Sequence, residues 1–193
     1  AMVATPDSMT LYLDGVPSTH QAGLDSADLE TMRIGSYKDW GSRNFYGEID
    51  EVCIWNRAHS TLEIRELAHL TKEDVIADPE LLAYYQFNEE SGTVYDKAGN
   101  RFHASIGGNA GRTVSSAPLG GGSSSTQTEV PGSVDFAGTG FSTDYTLQNG
   151  AEVVATRINL TPYDTVSGIN AGQTILGNQY WACLLYTSDA ADD

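Results

Sequence analysis

Helical periodicity occurs in one short place. Ser60 opens the run S-T-L-E, in which Ser60 can accept from the Glu63 backbone N–H while Glu63 reaches back to Ser60. Ile64, Leu67 and Ala68 then fall on a single stripe. So few helical turns are not held by propensity, so the stripe must dock on a sheet. Elsewhere the 193 residues read as short apolar–polar alternations parted by Asp-Gly, Ser-Gly, Gly-Asn and Asn-Gly turn pairs. The combination points to an all-β chain of antiparallel strands with one short capped helix.

The alternations can be followed along the chain. MTLYLDGVPST, residues 9–19, predicts a hairpin turning at Asp14-Gly15, with Leu11 and Leu13 on one face and Tyr12 on the other. LETMRIGSY, residues 29–37, offers a second strand, on which Met32 and Ile34 share a face. FYGEIDEVCIW, residues 45–55, offers a third. Strict alternation there puts Glu48, Asp50, Val52 and Ile54 on the core side and Ile49, Glu51, Cys53 and Trp55 on the other, with Asp50 near the rim and Glu51 facing solvent. LLAYYQFNEESGTVYDKAGNRFHASI, residues 81–106, predicts three strands parted by two turns, and DKAGN reads as a turn rather than a calcium loop. Residues 119–132 are Gly/Ser-rich, of flexible-linker composition. Residues 133–182 alternate again about Asn149-Gly150 as a small β region cut short near Trp181.

The formal charge is −16, and the ten basic residues are scattered, which excludes a nucleic-acid footprint or an anionic-membrane patch. No apolar run approaches the roughly 20 residues needed to insert into a bilayer as a helix. An acidic balance leaves carboxylates free for hard cations such as calcium. Residues 183–193, CLLYTSDAADD, break the upstream pattern and resemble the translated read-through of a sequencing-library adaptor, as found in metagenomic fragments. Without Asp189, Asp192 and Asp193 there are 23 acids against 10 bases, a charge of −13. Without Cys183, Cys53 has no disulfide partner and reads as a small buried hydrophobe. His20, His59, His69 and His103 show no metal-ligand spacing and are expected on the surface or in turns.

MTLYLDGVPS, MRIGSY and FYGEIDEVCIWNRAHSTLEIREL together resemble the second half of a laminin-G-like, concanavalin-A-like jelly roll of large secreted bacterial proteins. AYYQFNEESGTVYDKAGNRFHAS is similar to the opening strands of the same type. The resemblance implies this organisation: 1–72, the C-terminal half of one jelly-roll sandwich; 78–118, opening strands of a second or an appendix; 119–132, linker; 133–182, a truncated β region; 183–193, artefact. Half a sandwich leaves an apolar face bare. The resemblance also implies Asp50 as a ligand of a structural Ca2+; the alternative is a carboxylate accepting backbone N–H groups at the strand start.

Tyr37, Trp40 and Tyr46 are candidates for a sugar-stacking platform on the loops, against local packing. The expected function is a non-catalytic carbohydrate- or protein-binding adhesion module, extracellular or at the cell surface, with a glycan or extracellular protein as partner. Two alternatives are an accessory region of a glycoside hydrolase and a structural spacer. GEIDEV is similar to the E-I-D-x-x-E strand of hydrolases on this fold and keeps Glu48 and Asp50. Val52 or Cys53 stands where the second glutamate would be, so a retaining carboxylate pair is lacking.

Overall fold

Asp14 and Gly15 both adopt positive φ, 49° and 78°, the pairing a two-residue hairpin turn demands. The turn joins β2 (Met9–Leu13) to β3 (Val16–His20), and β1 (Met2–Ala4) pairs with the other edge of β2, so the order is β1-β2-β3, all antiparallel. The computed structural model describes residues 1–20, 32–37, 43–72, 78–128, 132–145, 151–160 and 177–187. Asn149-Gly150 and the first three residues of the 29–37 strand lie outside these. Its remainder, 32–37, contributes only an isolated bridge from Ser36 to Asn44.

The register places Met2 opposite Leu11, and Leu13 lies two residues further along the same face. All three are more than half exposed, so one apolar face of this sheet is bare. On the other face the Tyr12 hydroxyl meets that of Thr61 at 3.2 Å.

The third strand is shorter than alternation predicts. Only Val52–Trp55 forms β4, because Glu51 takes φ of 50° and breaks the extended run. The face assignment of Glu48 to Glu51 therefore does not hold. β4 pairs antiparallel with β5 (Leu81–Tyr85), which brings residues on either side of the 72/78 boundary into one ladder. One side of the ladder packs Val52 and Ile54 with buried Ala83, Tyr85 and Val94; the other packs Trp55 with Leu81 and Tyr84. β6 (Thr93–Val94) and β7 (Ala104–Ser105) form a two-stranded ladder. The DKAGN turn between them is held by buried Asp96, which accepts from the N–H groups of Tyr84, Ala98 and Phe102 at 3.0, 2.9 and 3.2 Å.

Helix α1 (Thr61–Leu67) has the expected box: Glu63 N–H donates to Ser60 Oγ at 3.3 Å and Ser60 N–H to Glu63 Oε2 at 2.8 Å. The sheet on which it docks is C-terminal: β8 (Gly122–Thr128), β11 (Glu152–Ile158) and β12 (Tyr180–Tyr186), in the order β12-β11-β8. Arg65 bonds Gly15 C=O at 2.9 Å and Glu152 at 2.9 Å, and Thr126 donates to Glu66 at 2.9 Å. β9 (Gly132–Phe136) and β10 (Phe141–Tyr145) make a hairpin that packs Val134 and Phe136 against Ala155.

One stretch departs from expectation. Residues 119–132 hold β8 instead of a flexible linker: small side chains let the segment close onto β11, with Ser124 Oγ 2.9 Å from Thr156 Oγ1. In 183–193, Cys183–Tyr186 completes β12 by extending the ladder along β11, and residues 188–193 lie outside the description.

A Cβ at Gly122 would overlap the Arg157 carbonyl oxygen of the facing strand. Gly122→Ala is therefore expected to destabilise the chain by about 1–3 kcal/mol, the usual cost of overpacking. Thermal unfolding followed by circular dichroism checks this, and an unchanged melting temperature would contradict the close approach.

Candidate functional site

The loop before β4 is drawn closed by backbone pairing. Tyr37 N–H donates to Arg43 C=O at 3.0 Å and Phe45 N–H to Gly35 C=O at 2.8 Å, on either side of the Ser36–Asn44 bridge. Gly35, at φ +79°, supplies the backbone conformation at one arm. Tyr37 and Tyr46 thus sit on opposite arms of one narrow loop. Tyr46 is 91% exposed and Tyr37 50%, and Phe45, on the same arm as Tyr46, is also largely exposed. The Arg43 guanidinium lies 5.4 Å from the Tyr37 ring centre. No ring contact joins Tyr37 to Tyr46 among the described residues, and Trp40 lies outside them.

The acidic pair that follows is split in role by the positive φ at Glu51. Asp50 turns back on its own chain, and its Oδ1 accepts from the Glu51 N–H at 3.0 Å. Glu51, expected in solvent, instead turns inward, where its carboxylate accepts from the Tyr84 hydroxyl. That hydroxyl in turn accepts from Gln86 Nε2 at 2.9 Å and Lys72 N–H at 3.3 Å. Burial pushes the Glu51 pKa above its ordinary value, the Tyr84 hydrogen bond opposes the shift, and the neighbouring Asp50 charge adds to it. Cys53, expected as a buried hydrophobe, keeps an exposed surface, but desolvation of its thiol and the Glu51 charge push its pKa up to about 12. It is a poor nucleophile, and both cysteines are free.

A second cluster lies where β4, α1 and β8 meet. His59, expected on the surface or in a turn, lies in the connection between β4 and α1, where it is only 9% exposed and sets its ring edge-on against Trp55 at 4.6 Å between centres. The ring borders a cavity of about 240 Å3 that is also lined by Trp55, Glu66, Leu67, Lys72 and Ser124. Charges around it are paired: Arg57 with Glu63 at 2.8 Å and Glu80 at 3.0 Å, Lys72 with Asp78 at 3.0 Å. The Ser60 N–H, then Arg57, holds Glu63 down to about 2. Burial, with Arg57 next, keeps His59 below its ordinary pKa and hence neutral. Periodicity could not have found His59, because its burial comes from packing between segments far apart in sequence. The other histidines differ from it. His103 Nδ1 accepts the Asp96 N–H at 3.1 Å, and His69 Nδ1 lies 3.1 Å from Pro118 O.

Among the described residues the elements are antiparallel strands with one short helix, an all-β class. Residues 1–65, about a third of the chain, match the family model described as the concanavalin A-like lectin/glucanases superfamily. The match spans the three-stranded sheet, the aromatic loop, the acidic pair, β4 and the start of α1. That description joins binding proteins, the lectins, with enzymes, the glucanases. No curated protein and no solved structure matches the chain. No helix among the described residues is long and apolar enough to cross a membrane.

The sign of the Glu51 shift makes a prediction. An unfolded glutamate loses its proton near 4.5, whereas the folded one holds it to higher pH, so stability falls as pH rises through the interval between the two values. Glu51→Gln still accepts from Tyr84 and does not titrate. Its melting temperature relative to wild type is expected to rise between about pH 4 and pH 7; a difference constant with pH would mean Glu51 carries its charge without penalty.

Proposed function

We propose that the chain is a non-catalytic binding module of an extracellular or cell-surface protein, taking a glycan as ligand at the 34–46 loop. The observation that carries this reading is the exposure of Tyr46, with Tyr37 and Phe45 beside it. A ring left in water gains nothing for folding, whereas rings on a backbone-braced loop offer flat surfaces to the C–H faces of a sugar. The lectin/glucanase match over residues 1–65 supports it. A protein ligand uses the same surface in the second form of the proposal. A hydrolase reading is disfavoured, because Val52 or Cys53 stands where the second glutamate of an E-I-D-x-x-E strand would be.

Calcium at Asp50 belongs to the proposal as a stabiliser of the loop. The described side chains do not make a calcium cage by themselves. Asp50 Oδ1 already accepts a backbone N–H, and no three His, Cys, Asp or Glu side chains among the described residues gather as a metal site.

Two measurements test the reading. On a glycan array, Tyr46→Ala and Tyr37→Ala are each expected to weaken binding about 10-fold or more, a stacking loss of the order of 1 kcal/mol, with unchanged circular dichroism. Binding equal to wild type in both variants would remove the loop from recognition. Calcium at about 1 mM, the range of extracellular modules, is expected to raise the melting temperature of wild type but not of Asp50→Ala. Equal shifts, or none, would exclude Asp50 as a ligand.

A further inference from the structure

The β6–β7 ladder has two unlike faces. Thr93 pairs with Ser105 and Val94 with Ala104, so the same register carried one residue further sets Tyr95 opposite His103. Val94 is buried and packs with Ala104 on the core side. Thr93, Tyr95, His103 and Ser105 share the outer side, and all four are exposed. The Tyr95 and His103 rings meet edge to face, 5.2 Å between centres at 77°, and Tyr95 remains 49% exposed.

Backbone contacts hold this pair in place. Tyr95 N–H donates to Glu89 Oε1 at 3.0 Å. Phe102, next to His103, gives its N–H to Asp96 at 3.2 Å, and its C=O accepts from the Tyr85 hydroxyl at 2.6 Å. The Asp96 N–H donates to His103 Nδ1 at 3.1 Å. A neutral imidazole that accepts at Nδ1 carries its proton on Nε2. That N–H, on the other side of the ring, has no hydrogen-bond partner among the described residues.

We propose that this outer face is a second binding site, taking a neutral sugar chain. The Tyr95 ring offers a flat apolar surface to the C–H face of a pyranose. His103 Nε2–H is a donor of fixed tautomer for a sugar oxygen, and the Thr93 and Ser105 hydroxyls, two residues along each strand, can donate or accept. The Lys97 ammonium, 6.0 Å from the Tyr95 ring centre, lies 3.9 Å from the Glu89 carboxylate, so a charged ligand would have to compete with that pair. A stable protein interface covers about 800 Å2 of each partner, far more than the outer side of a ladder with two paired residues on each strand. A sugar chain fits that span, and a surface already pinned loses little freedom on binding. The face lies outside residues 1–65 and shares no residue with the 34–46 loop, so it stands or falls separately from the loop reading.

The test uses the full chain carrying Tyr37→Ala and Tyr46→Ala, which silence the loop, on an array of neutral and acidic oligosaccharides. The expected result is binding to at least one neutral glycan, weakened about 10-fold or more when Tyr95→Ala is added and recovered to within about 3-fold by Tyr95→Phe, which restores the ring. In the wild-type chain labelled with 15N in histidine, the His103 Nε2 resonance is expected to move saturably with the same glycan at about 10 μM to 1 mM, a readout that needs no variant to fold. Binding that ignores the loop substitutions but yields to Tyr95→Ala supports this site while removing the loop from recognition. The proposal is overturned if the loop-silenced chain binds no neutral glycan, if Tyr95→Ala leaves its affinity unchanged, or if the His103 resonance stays fixed at saturating glycan.

Discussion

The β4–β5 ladder is the contact on which the rest of the chain depends. Four residues, Val52–Trp55, meet Leu81–Tyr85, and the two faces of this pair carry two of the three buried apolar clusters among the described residues. Two-stranded ladders are marginal alone in water. This one survives because both faces are covered, one by Val94, Ala104 and Phe87, the other by Trp55 and Ala98. Tyr84, only 1% exposed, joins that ladder to its surroundings: its N–H is taken by Asp96, and its hydroxyl gathers Glu51, Gln86 and the Lys72 backbone. The positive φ of Glu51 follows from this hub, since only a turned backbone ends the strand and aims the carboxylate inward. Asp50, one residue earlier, is placed by the same turn.

Helix α1 links this ladder to the C-terminal sheet by polar contacts more than by apolar ones. Ile64 and Leu67 are half-buried and Ala68 is exposed, so the stripe makes a shallow seam. Specific position comes from Arg65, which bonds the hairpin carbonyl of Gly15 and the Glu152 carboxylate at once, and from Glu66 with Thr126. A planar guanidinium can serve two acceptors in fixed directions, which an ammonium cannot do as well. The Leu70–Gly120 bridge continues the seam past the helix end. The His59 cavity exists because the seam is shallow: the helix, β4 and β8 approach without filling the space between them.

What was legible in the sequence is what neighbouring residues decide. Asp14-Gly15 turns because its own backbone preferences demand it, and Ser60 with Glu63 caps the helix because the partners are three residues apart. The all-β class with one helix follows from such signals. Other features depend on partners remote in the chain. β8 carries linker composition, and only the edge of β11 and the need for a side-chain-free Gly122 make it a strand. Alternation places Cys53 and Glu51 on the wrong side of the surface, for a common reason. Alternation assigns faces only while the strand stays extended, and it cannot see which distant segment will cover a residue. Tyr46 was legible as an aromatic near a strand end, but its exposure became visible only once the loop was closed.

Two aspartates at comparable strand-end positions show how environment separates support from availability. Asp96 is buried, and three backbone N–H groups from both sides of the DKAGN turn occupy its two oxygens. A carboxylate so engaged holds a turn together, and an incoming cation or ligand would have to break those bonds to use it. Asn100 extends the same function by donating to Leu81 and Leu82 carbonyls. Asp50 accepts one local N–H through a single oxygen and sits only partly buried, at the root of the loop that carries the exposed tyrosines. The sequence reads DKAGN as a turn, and the donor count agrees, because a cation site must have oxygens that the fold has not already used.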